Sequence, residues 1–523
     1  MPRLLALALN YPRLAALLLG AGSAFGFEPW GLWAIALLAI AGLCGLVQRA
    51  PTRKASAWLG WSFGLGQFAI GLNWIATAFT YQAAMPYWLG WVAVVLLAIY
   101  LGVYPALATL AAWHARSSRA GFILALAGSW ILFEWLRGWV FTGFPWNPQG
   151  AVLLGTFEHP GAARALPWLG TFALSGVAVL LAGFWWAGLS SFRSDRRAAI
   201  LLALPLLVQV GPTLFPPKQD RPSKVPFALV QPNIPQAELN DPARFPQNFA
   251  RLAQLVPPVG PAPGALLLWP ESGVSDYLRD GYPPDYYLDT IDNNAAAARA
   301  RLGRLIQPGR LLLTGTVDLN FSAGQPIGAR NSVTAVEGDG QLTASYSKAH
   351  LVPYGEYLPM RAMLTPLGLN RLVPGDFDFL PGPGPQTLDL GRHGKAGVQI
   401  CYEIVFPGKV LDAKNRPDYL FNPSNDGWFG SWGPPQHLAQ ARMRALEEGM
   451  PVLRSTTTGI SAVIDANGVV RQSVPSQAAG LLMGLIPSAH TPTLFSAWGN
   501  VLSLGWAMLL LVLSLVALRR VGR

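Results

Sequence analysis

The sequence contains few charged residues. Only 12% of its 523 residues are charged and 52% are hydrophobic, whereas soluble proteins carry roughly 25% charged residues. This composition excludes an ordinary soluble protein. Residues 226–488 hold 20 basic and 22 acidic side chains, so the net charge of +11 comes from the hydrophobic segments around them. Basic residues are not clustered as a nucleic-acid-binding face requires, which argues against a nucleic-acid partner.

Cysteine is equally scarce. The chain has two cysteines, Cys44 in a hydrophobic segment near the start and Cys401 in the stretch 397–407. A disulfide framework is therefore excluded, and Cys401 is expected to be a free thiol. The six histidines show neither of the spacings H-x-x-x-H and H-E-x-x-H, so the sequence predicts no metal site. No cofactor is predicted either.

Long hydrophobic stretches predict a membrane α-helical bundle of about eight spans. A spanning helix needs about 20 mainly apolar residues. Candidate spans centre on Leu17, Leu37, Gly66, Val95, Gly128, Val177 and Leu204, and a further one runs over 501–518. We therefore expect membrane helices in residues 1–217, and a C-terminal helix with a basic tail in residues 491–523.

The positive charges predict how these spans are oriented. Short cytoplasmic loops are enriched in Lys and Arg, and alternate connections carry Arg53, Arg116 and Arg196 and the tail carries Arg519, whereas residues 80–88 carry no charge. The basic loops and both termini are therefore expected in the cytoplasm. Seven spans then deliver residues 218–490 to the extracytoplasmic side.

Residues 218–490 have the pattern of an α/β domain, because short β-branched or leucine-rich runs alternate with helical ones. Predicted strands are 227–231, 265–270, 311–319, 331–337, 342–348, 396–401, 419–424 and 452–459, and predicted helices are 288–306 and 436–448. A turn at residues 467–469 is predicted to join two further strands, since Asn-Gly favours tight hairpins.

Three chemically active side chains stand at predicted strand ends. Glu271, Lys348 and Cys401 each close a strand, and strand ends are where open α/β folds place their sites. A carboxylate can take the proton of a thiol, and a lysine can stabilise an oxyanion. Each residue alone has a plainer interpretation, since a free cysteine in a strand is usually a small buried hydrophobe.

The motifs around these residues resemble a known superfamily. WPES (269–272), KAHLVPYGE (348–356) and ICYE (400–403) look like the Glu-Lys-Cys motifs of the nitrilase, or carbon–nitrogen hydrolase, superfamily. Membrane spans before and after such a domain resemble the apolipoprotein N-acyltransferase family. The resemblance implies a nitrilase-like αββα sandwich, with Glu271 as base, Lys348 as oxyanion-stabilising cation and Cys401 as nucleophile. Further matches, implied to support the substrate or its oxyanion, are Asn331, Glu356, Tyr402 and Glu403.

The resemblance also implies the reaction. Cys401 would take an acyl chain from a phospholipid, typically phosphatidylethanolamine, and pass it to the α-amine of a diacylglyceryl-cysteine in an apolipoprotein. The enzyme would lie in the cytoplasmic (inner) membrane of a bacterium, with its catalytic domain on the periplasmic side. A monomer is expected, because one chain supplies every catalytic group.

Two other functions compete with this one. A membrane-tethered amidase or nitrilase would use water as acceptor and would act on small soluble amides. The protein could also be a transporter or receptor with an exported ligand-binding domain. In that case the presence of Glu271, Lys348 and Cys401 at strand ends would be a coincidence.

Two further features have open roles. Residues 358–374 are unusually apolar for an exported loop, and exposed apolar runs often mark membrane or ligand contact. We expect them to form a mobile arm that admits acyl chains to Cys401; packing onto the domain is the alternative.

Glu134 and Arg137 lie three residues apart in the fifth candidate span, where charges are costly and often functional. A structural ion pair is the other interpretation.

Overall fold

The computed structural model describes most of the chain. The described residues are 10–81, 86–192, 194–196, 198–215, 217, 221–258, 264–322, 324–367, 371 and 378–521. The longer helices of the N-terminal part are Pro12–Ser23, Trp33–Gln48, Arg53–Gly71, Leu89–Leu101, Val103–Trp113, Arg119–Arg137, Leu166–Ser191 and Ala198–Val210, and the C-terminal helix is Asn500–Val521. Each predicted span coincides with one of these helices.

Four stretches in the described residues are long and apolar enough to cross a membrane. They are Leu89–Trp113, Arg119–Arg137, Ala162–Ser191 and Asn500–Arg520, and shorter apolar helices cover Trp33–Gln48 and Ala198–Leu214. The count of about eight spans stays a prediction. Of the basic loop between the sixth and seventh candidate spans, Arg193 and Arg197 lie outside the described residues.

Glycines allow the first helices to pack closely. A Cβ on Gly20 would lie 1.9 Å from the carbonyl oxygen of Phe63, and one on Gly66 would lie 2.1 Å from that of Leu17. Helices Pro12–Ser23 and Arg53–Gly71 therefore touch backbone to backbone. Small residues at helix contacts are the usual means of association in a membrane, where apolar burial does not drive helices together.

The segment after residue 221 folds into two six-stranded sheets. The strands are β1 (Pro222–Gln231), β2 (Leu266–Leu268), β3 (Leu311–Ser322), β4 (Gln325–Glu337), β5 (Leu342–Ser347), β6 (Thr387–Asp389), β7 (Lys395–Val398), β8 (Tyr419–Ser424), β9 (Val452–Thr456), β10 (Ser461–Ile464), β11 (Val470–Val474) and β12 (Gly480–Pro487). One sheet has the order β12-β1-β2-β3-β4-β5 and the other β11-β10-β9-β8-β7-β6. Strands β1, β2 and β3 are parallel, as are β7, β8 and β9.

The two sheets share one apolar core, which makes the domain the expected αββα sandwich. Side chains from β1 to β5 pack against side chains from β7 to β10, among them Leu268 and Phe421. Helices Phe245–Gln254 and Ala295–Ile306 cover the outer face of the first sheet. Helix Gly433–Glu448 covers the second sheet, and its other side packs against the membrane helices.

Local signals explain where the sequence prediction was wrong. The helix predicted at 288–306 begins only at Ala295, because the Asn294 side chain accepts a hydrogen bond from Ala296 and caps it. Asp292 and Asn293 before it have positive φ values of 52° and 50°, which no helix continues through. Strands β6 and β12 were not predicted; β12 forms an edge beside β1.

Candidate active site

A buried cluster of two carboxylates, one lysine and one amide lies at the carboxyl ends of β2 and β5. The Lys348 Nζ is 3.0 Å from the Glu356 carboxylate and 3.7 Å from Oε1 of Glu271. Asn331 on β4 donates its side-chain N–H groups to both carboxylates, at 2.7 Å to Glu271 and 3.0 Å to Glu356. The backbone N–H of Asn425 donates to the second oxygen of Glu271, at 2.7 Å. Glu271 is therefore held on both oxygens.

The fold explains why these groups converge. Strand β5 pairs antiparallel with β4, which pairs antiparallel with β3, so β5 ends at the same edge as the parallel strands β2 and β3. Glu271 follows β2, and Lys348 follows β5 directly. In the second sheet Cys401 follows β7 and Asn425 follows β8, two parallel neighbours. The sheets face each other, so both sets of strand ends meet.

Burial sets the electrostatics of this cluster. Burial raises the pKa of Glu271 above its usual range, and Lys348 opposes the rise. Burial would lower the pKa of Lys348, but the carboxylates of Glu356 and Glu271 outweigh it and raise that pKa, so the ammonium stays charged. Burial and the nearby Glu271 raise the pKa of Cys401 well above its usual value. The resting thiol is thus protonated, and attack requires a base.

Cys401 itself stands on a strained turn. Its φ is +50°, a left-handed value that residues with a Cβ rarely adopt. It opens the short 3₁₀ helix Cys401–Val405 after β7, and the whole helix is buried. Strained backbone at strand ends is frequent in active sites. The turn must therefore be held by its neighbours.

Glu403 links this turn to the lysine loop. One of its carboxylate oxygens accepts the Tyr346 hydroxyl at 2.8 Å and the backbone N–H groups of Ala349 and His350 at 2.8 and 3.1 Å. The other oxygen accepts the backbone N–H of Ile400 at 2.8 Å. Burial raises the pKa of Glu403 to about 7, against the effect of these donors. Glu403 therefore fixes the spacing between the residues flanking Lys348 and those flanking Cys401.

Tyr402 points towards the membrane helices. Its hydroxyl donates to the carbonyl oxygen of Gly143 at 3.3 Å, and its ring stacks on Trp146 at 6.3 Å between centroids.

Arg137 donates to the carbonyl oxygens of Phe144 and Trp146 in the same loop, at 2.7 and 2.8 Å. Glu134 lies 3.5 Å from Arg137 and accepts the backbone N–H of Gln149 at 2.8 Å. These contacts favour the structural interpretation of the pair, which shapes the loop under Tyr402.

Two groups that contact Glu271 and Cys401 were not predicted from the sequence: the backbone N–H of Asn425 and the side chain of His437. The backbone N–H of Asn425 carries no side-chain signal, although the run NPSND (422–426) at the end of β8 points to a turn at the same sheet edge. His437, fully buried, lies 3.0 Å from the carbonyl oxygen of Cys401 through its Nε2. A search for metal spacing passes over such a histidine. Among the described residues, no group of His, Cys, Asp and Glu side chains is placed to hold a metal ion.

Comparison with known proteins identifies the family. Residues 19–212 match the apolipoprotein N-acyltransferase N-terminal domain, and residues 227–492 match the carbon-nitrogen hydrolase family. Proteins of Rhodopseudomonas palustris and Caulobacter vibrioides, both named apolipoprotein N-acyltransferase, are 33% identical to this chain over 528 residues, covering 97% of it and 94% of each relative. The chain belongs to the apolipoprotein N-acyltransferase family. The apolar helices of the N-terminal part fit a membrane-associated member of that family.

Two solved structures each match about half of this apolipoprotein N-acyltransferase family member. A carbon–nitrogen hydrolase from Helicobacter pylori is 17% identical and covers 50% of this chain and 89% of its own, with a TM-score of 0.36. The Saccharomyces cerevisiae protein Nit3, of the nitrilase superfamily, is 18% identical and covers 51% and 93%, also with a TM-score of 0.36.

Proposed function

We propose that this protein transfers an acyl chain from a membrane phospholipid to the N-terminal α-amine of a diacylated apolipoprotein. The buried Glu-Lys-Cys cluster carries the proposal, because it combines a held base, a fixed cation and a thiol on a strained turn. The named relatives supply the acceptor class. Phosphatidylethanolamine is the proposed donor, and a monomer is the proposed state because one chain supplies every group of the cluster.

In the first step Cys401 becomes acylated. As its Sγ attacks the ester carbonyl carbon of the phospholipid, the thiol proton moves to Glu271. Lys348 stabilises the oxyanion of the tetrahedral intermediate. When the intermediate collapses, the C–O bond breaks and the departing lysophospholipid oxygen takes the proton from Glu271. The product is a thioester on Cys401.

In the second step the apolipoprotein amine attacks that thioester. Glu271 accepts a proton from the attacking nitrogen, and Lys348 again stabilises the oxyanion. The C–S bond breaks, an amide forms, and the proton returns from Glu271 to Cys401. Burial raises the pKa of Glu271 above its usual range, which makes its carboxylate a stronger base towards the thiol and amine protons.

The same proposal assigns a place to each part of the chain. Residues 1–217 and 491–523 would hold the protein in the bacterial inner membrane, and residues 218–490 would form the periplasmic catalytic domain. Cysteines introduced as Arg53→Cys and Asp241→Cys, both at exposed positions, would test this in a background without Cys44 and Cys401. An impermeant thiol reagent on spheroplasts should label the second site and not the first. The reverse labelling would overturn the orientation.

A covalent adduct is the decisive test of the chemistry. Protein given phospholipid without acceptor should accumulate a fatty-acyl thioester on Cys401, seen by mass spectrometry and cleaved by neutral hydroxylamine. Cys401→Ala should abolish adduct and product, while Cys44→Ala should change neither. Glu271→Gln and Lys348→Ala should slow adduct formation by about 100- to 1000-fold. Full product formation by Cys401→Ala would show the covalent route to be wrong.

The acceptor distinguishes this enzyme from a hydrolase. A diacylated lipopeptide with a free α-amine should discharge the adduct, and the same lipopeptide with a blocked amine should not. Equal discharge by both, or by buffer alone, would indicate water as acceptor and therefore an amidase-like enzyme.

The apolar stretch 358–374 remains a proposed entry for acyl chains. Within its described part, the short helix Arg361–Leu364 and the residue that precedes it carry exposed apolar side chains, with Met360 62% and Met363 69% exposed. Leu369, which we expect to contribute, lies outside the described residues. Met360→Ser with Met363→Ser should slow adduct formation from phospholipid vesicles and leave the melting temperature unchanged. Unchanged kinetics would contradict the role in lipid entry.

A further inference from the structure

The backbone carbonyl group of Cys401 forms a hydrogen bond with a buried histidine side chain. Cys401 adopts a left-handed backbone, and such a turn persists only where surrounding contacts hold it. Its carbonyl oxygen lies 3.0 Å from Nε2 of His437, on helix Gly433–Glu448. His437 is 0% exposed. A carbonyl oxygen only accepts hydrogen bonds, so Nε2 must carry the proton.

The other ring nitrogen is fixed by an ion pair. Nδ1 of His437 lies 2.9 Å from Oδ1 of Asp426 and 2.9 Å from Nη2 of Arg454. Arg454 also pairs with the second oxygen of Asp426 at 2.6 Å. Burial and Arg454 together lower the pKa of His437 in spite of Asp426. With the proton on Nε2, Nδ1 of the neutral ring can accept from Arg454, and the Asp426 carboxylate, which also only accepts, is paired by Arg454 and not by the ring.

Arg454 in turn is anchored to the sheet. Its Nη1 donates to Oγ of Ser424 at 2.9 Å and to the Asn422 side chain, both on β8. Arg454 lies on β9, the neighbouring strand. The position of the imidazole is therefore set by β9 and by β8, the strand that precedes Asn425, and the ring cannot turn without breaking several buried bonds.

We propose that His437 is a positioning residue for acyl transfer: its hydrogen bond to the Cys401 carbonyl holds the strained turn that aims the thiol at the substrate. The inference rests on the proposed role of Cys401 as acyl carrier. A hydrogen bond that only stabilised the fold would affect the melting temperature and not the rate of a correctly folded variant.

Two substitutions separate these alternatives. His437→Leu removes the donor, whereas His437→Gln places a side-chain N–H near the position of Nε2. In single-turnover acylation from phospholipid vesicles, the leucine variant should be slowed by about 10- to 100-fold, the effect of a nucleophile displaced by about 1 Å. The glutamine variant should recover most of the rate, and the apparent affinity for phospholipid should stay unchanged in both.

A matched control lies one turn further along the helix. Gln440 is 1% exposed, and its side-chain amide has no hydrogen-bond partner among the described residues. Gln440→Leu should acylate as fast as the unaltered protein. Equal acylation rates for His437→Leu and the unaltered protein would overturn the proposal, as would a glutamine variant no faster than the leucine variant. If the unaltered protein forms no adduct, the proposed function fails instead.

His437→Asn covers the case in which His437→Leu does not fold. Its side chain keeps an amide but is too short to reach the Cys401 carbonyl. With folding checked by melting temperature, His437→Gln should acylate much faster than His437→Asn. Equal rates in these two variants would overturn the proposal.

Discussion

The helices on the two outer faces of the sandwich differ in burial: one is partly exposed, and the other is almost wholly buried. Helix Ala295–Ile306 on the first sheet buries one stripe, with Ala298, Leu302 and Ile306 inward, and exposes its arginine at position 304. Helix Gly433–Glu448 on the second sheet is buried at every position except Pro435. Its sequence is nevertheless the more polar of the two, with Gln, His, Arg and Glu side chains on all sides.

The difference shows how the membrane part and the catalytic part are joined. The side chain of Gln436 accepts from Trp74 at 3.2 Å, Trp146 at 2.8 Å and Asn147 at 3.1 Å, and it donates to the carbonyl oxygens of Glu28 and Gly71. Four of these residues lie in loops between the N-terminal helices, and Gly71 is the last residue of one of those helices. A polar helix can be buried on both sides when irregular backbone on the second side supplies its partners.

The largest expected effect comes from removing the hydrogen bonds of Gln436 to the N-terminal helices and their loops. Gln436→Leu leaves the indole N–H groups of Trp74 and Trp146 without this acceptor, and each buried unpaired group costs about 1–3 kcal/mol. We expect a strong fall in melting temperature and slower acylation, because His437 is the next residue. Asn248→Leu is the matched change on the other layer, where Asn248 is 4% exposed and its Oδ1 has no partner among the described residues. Equal losses in both variants would contradict the comparison.

A smaller effect is expected for the arginines of the two helices. Arg442 donates to the carbonyl oxygens of Gly155 at 2.9 Å, Gly468 at 3.0 Å and Thr156. Arg442→Met should cost about 2–4 kcal/mol, since bonds to charged donors are worth about 1.5–3 kcal/mol each before desolvation is offset. Arg304→Met on the exposed side of the other layer should stay within about 0.5 kcal/mol. Thermal unfolding in one detergent would measure both.

The smallest expected effect depends on pH. Burial raises the pKa of Glu448 from its usual value of 4.5 to about 7. The folded protein then binds this proton more tightly than the unfolded chain, so stability falls as pH rises from about 4.5 to 7. Glu448→Gln removes this cost and should raise the melting temperature at pH 8 by a few degrees, with little change at pH 5. A gain of the same size at both pH values would contradict the buried-carboxyl explanation.

Sequence patterns predicted the elements of the site well because strong local signals marked them. The leucine run of β2 placed Glu271 just beyond a strand end, and the run LTASYS of β5 did the same for Lys348. Helix Gly433–Glu448 was predicted over nearly its full length, but nothing in its polar pattern showed that both of its sides are covered. The delayed start of helix Ala295–Ile306 depended on an Asn cap and two left-handed residues, signals too short to outweigh an apolar run.

The sequence alone determined the division into apolar helices and an α/β domain, since hydrophobic runs and charge deficits are local properties. It also contains the Glu-Lys-Cys motifs on which the proposed roles of Glu271, Lys348 and Cys401 rest. Only the tertiary structure decided that Asn331 donates to two carboxylates, that Glu403 accepts hydrogen bonds from both the lysine loop and the nucleophile turn, and that His437 contacts the Cys401 carbonyl. Each of these contacts joins residues from different strands or helices, and only sheet order and helix packing can bring such residues together.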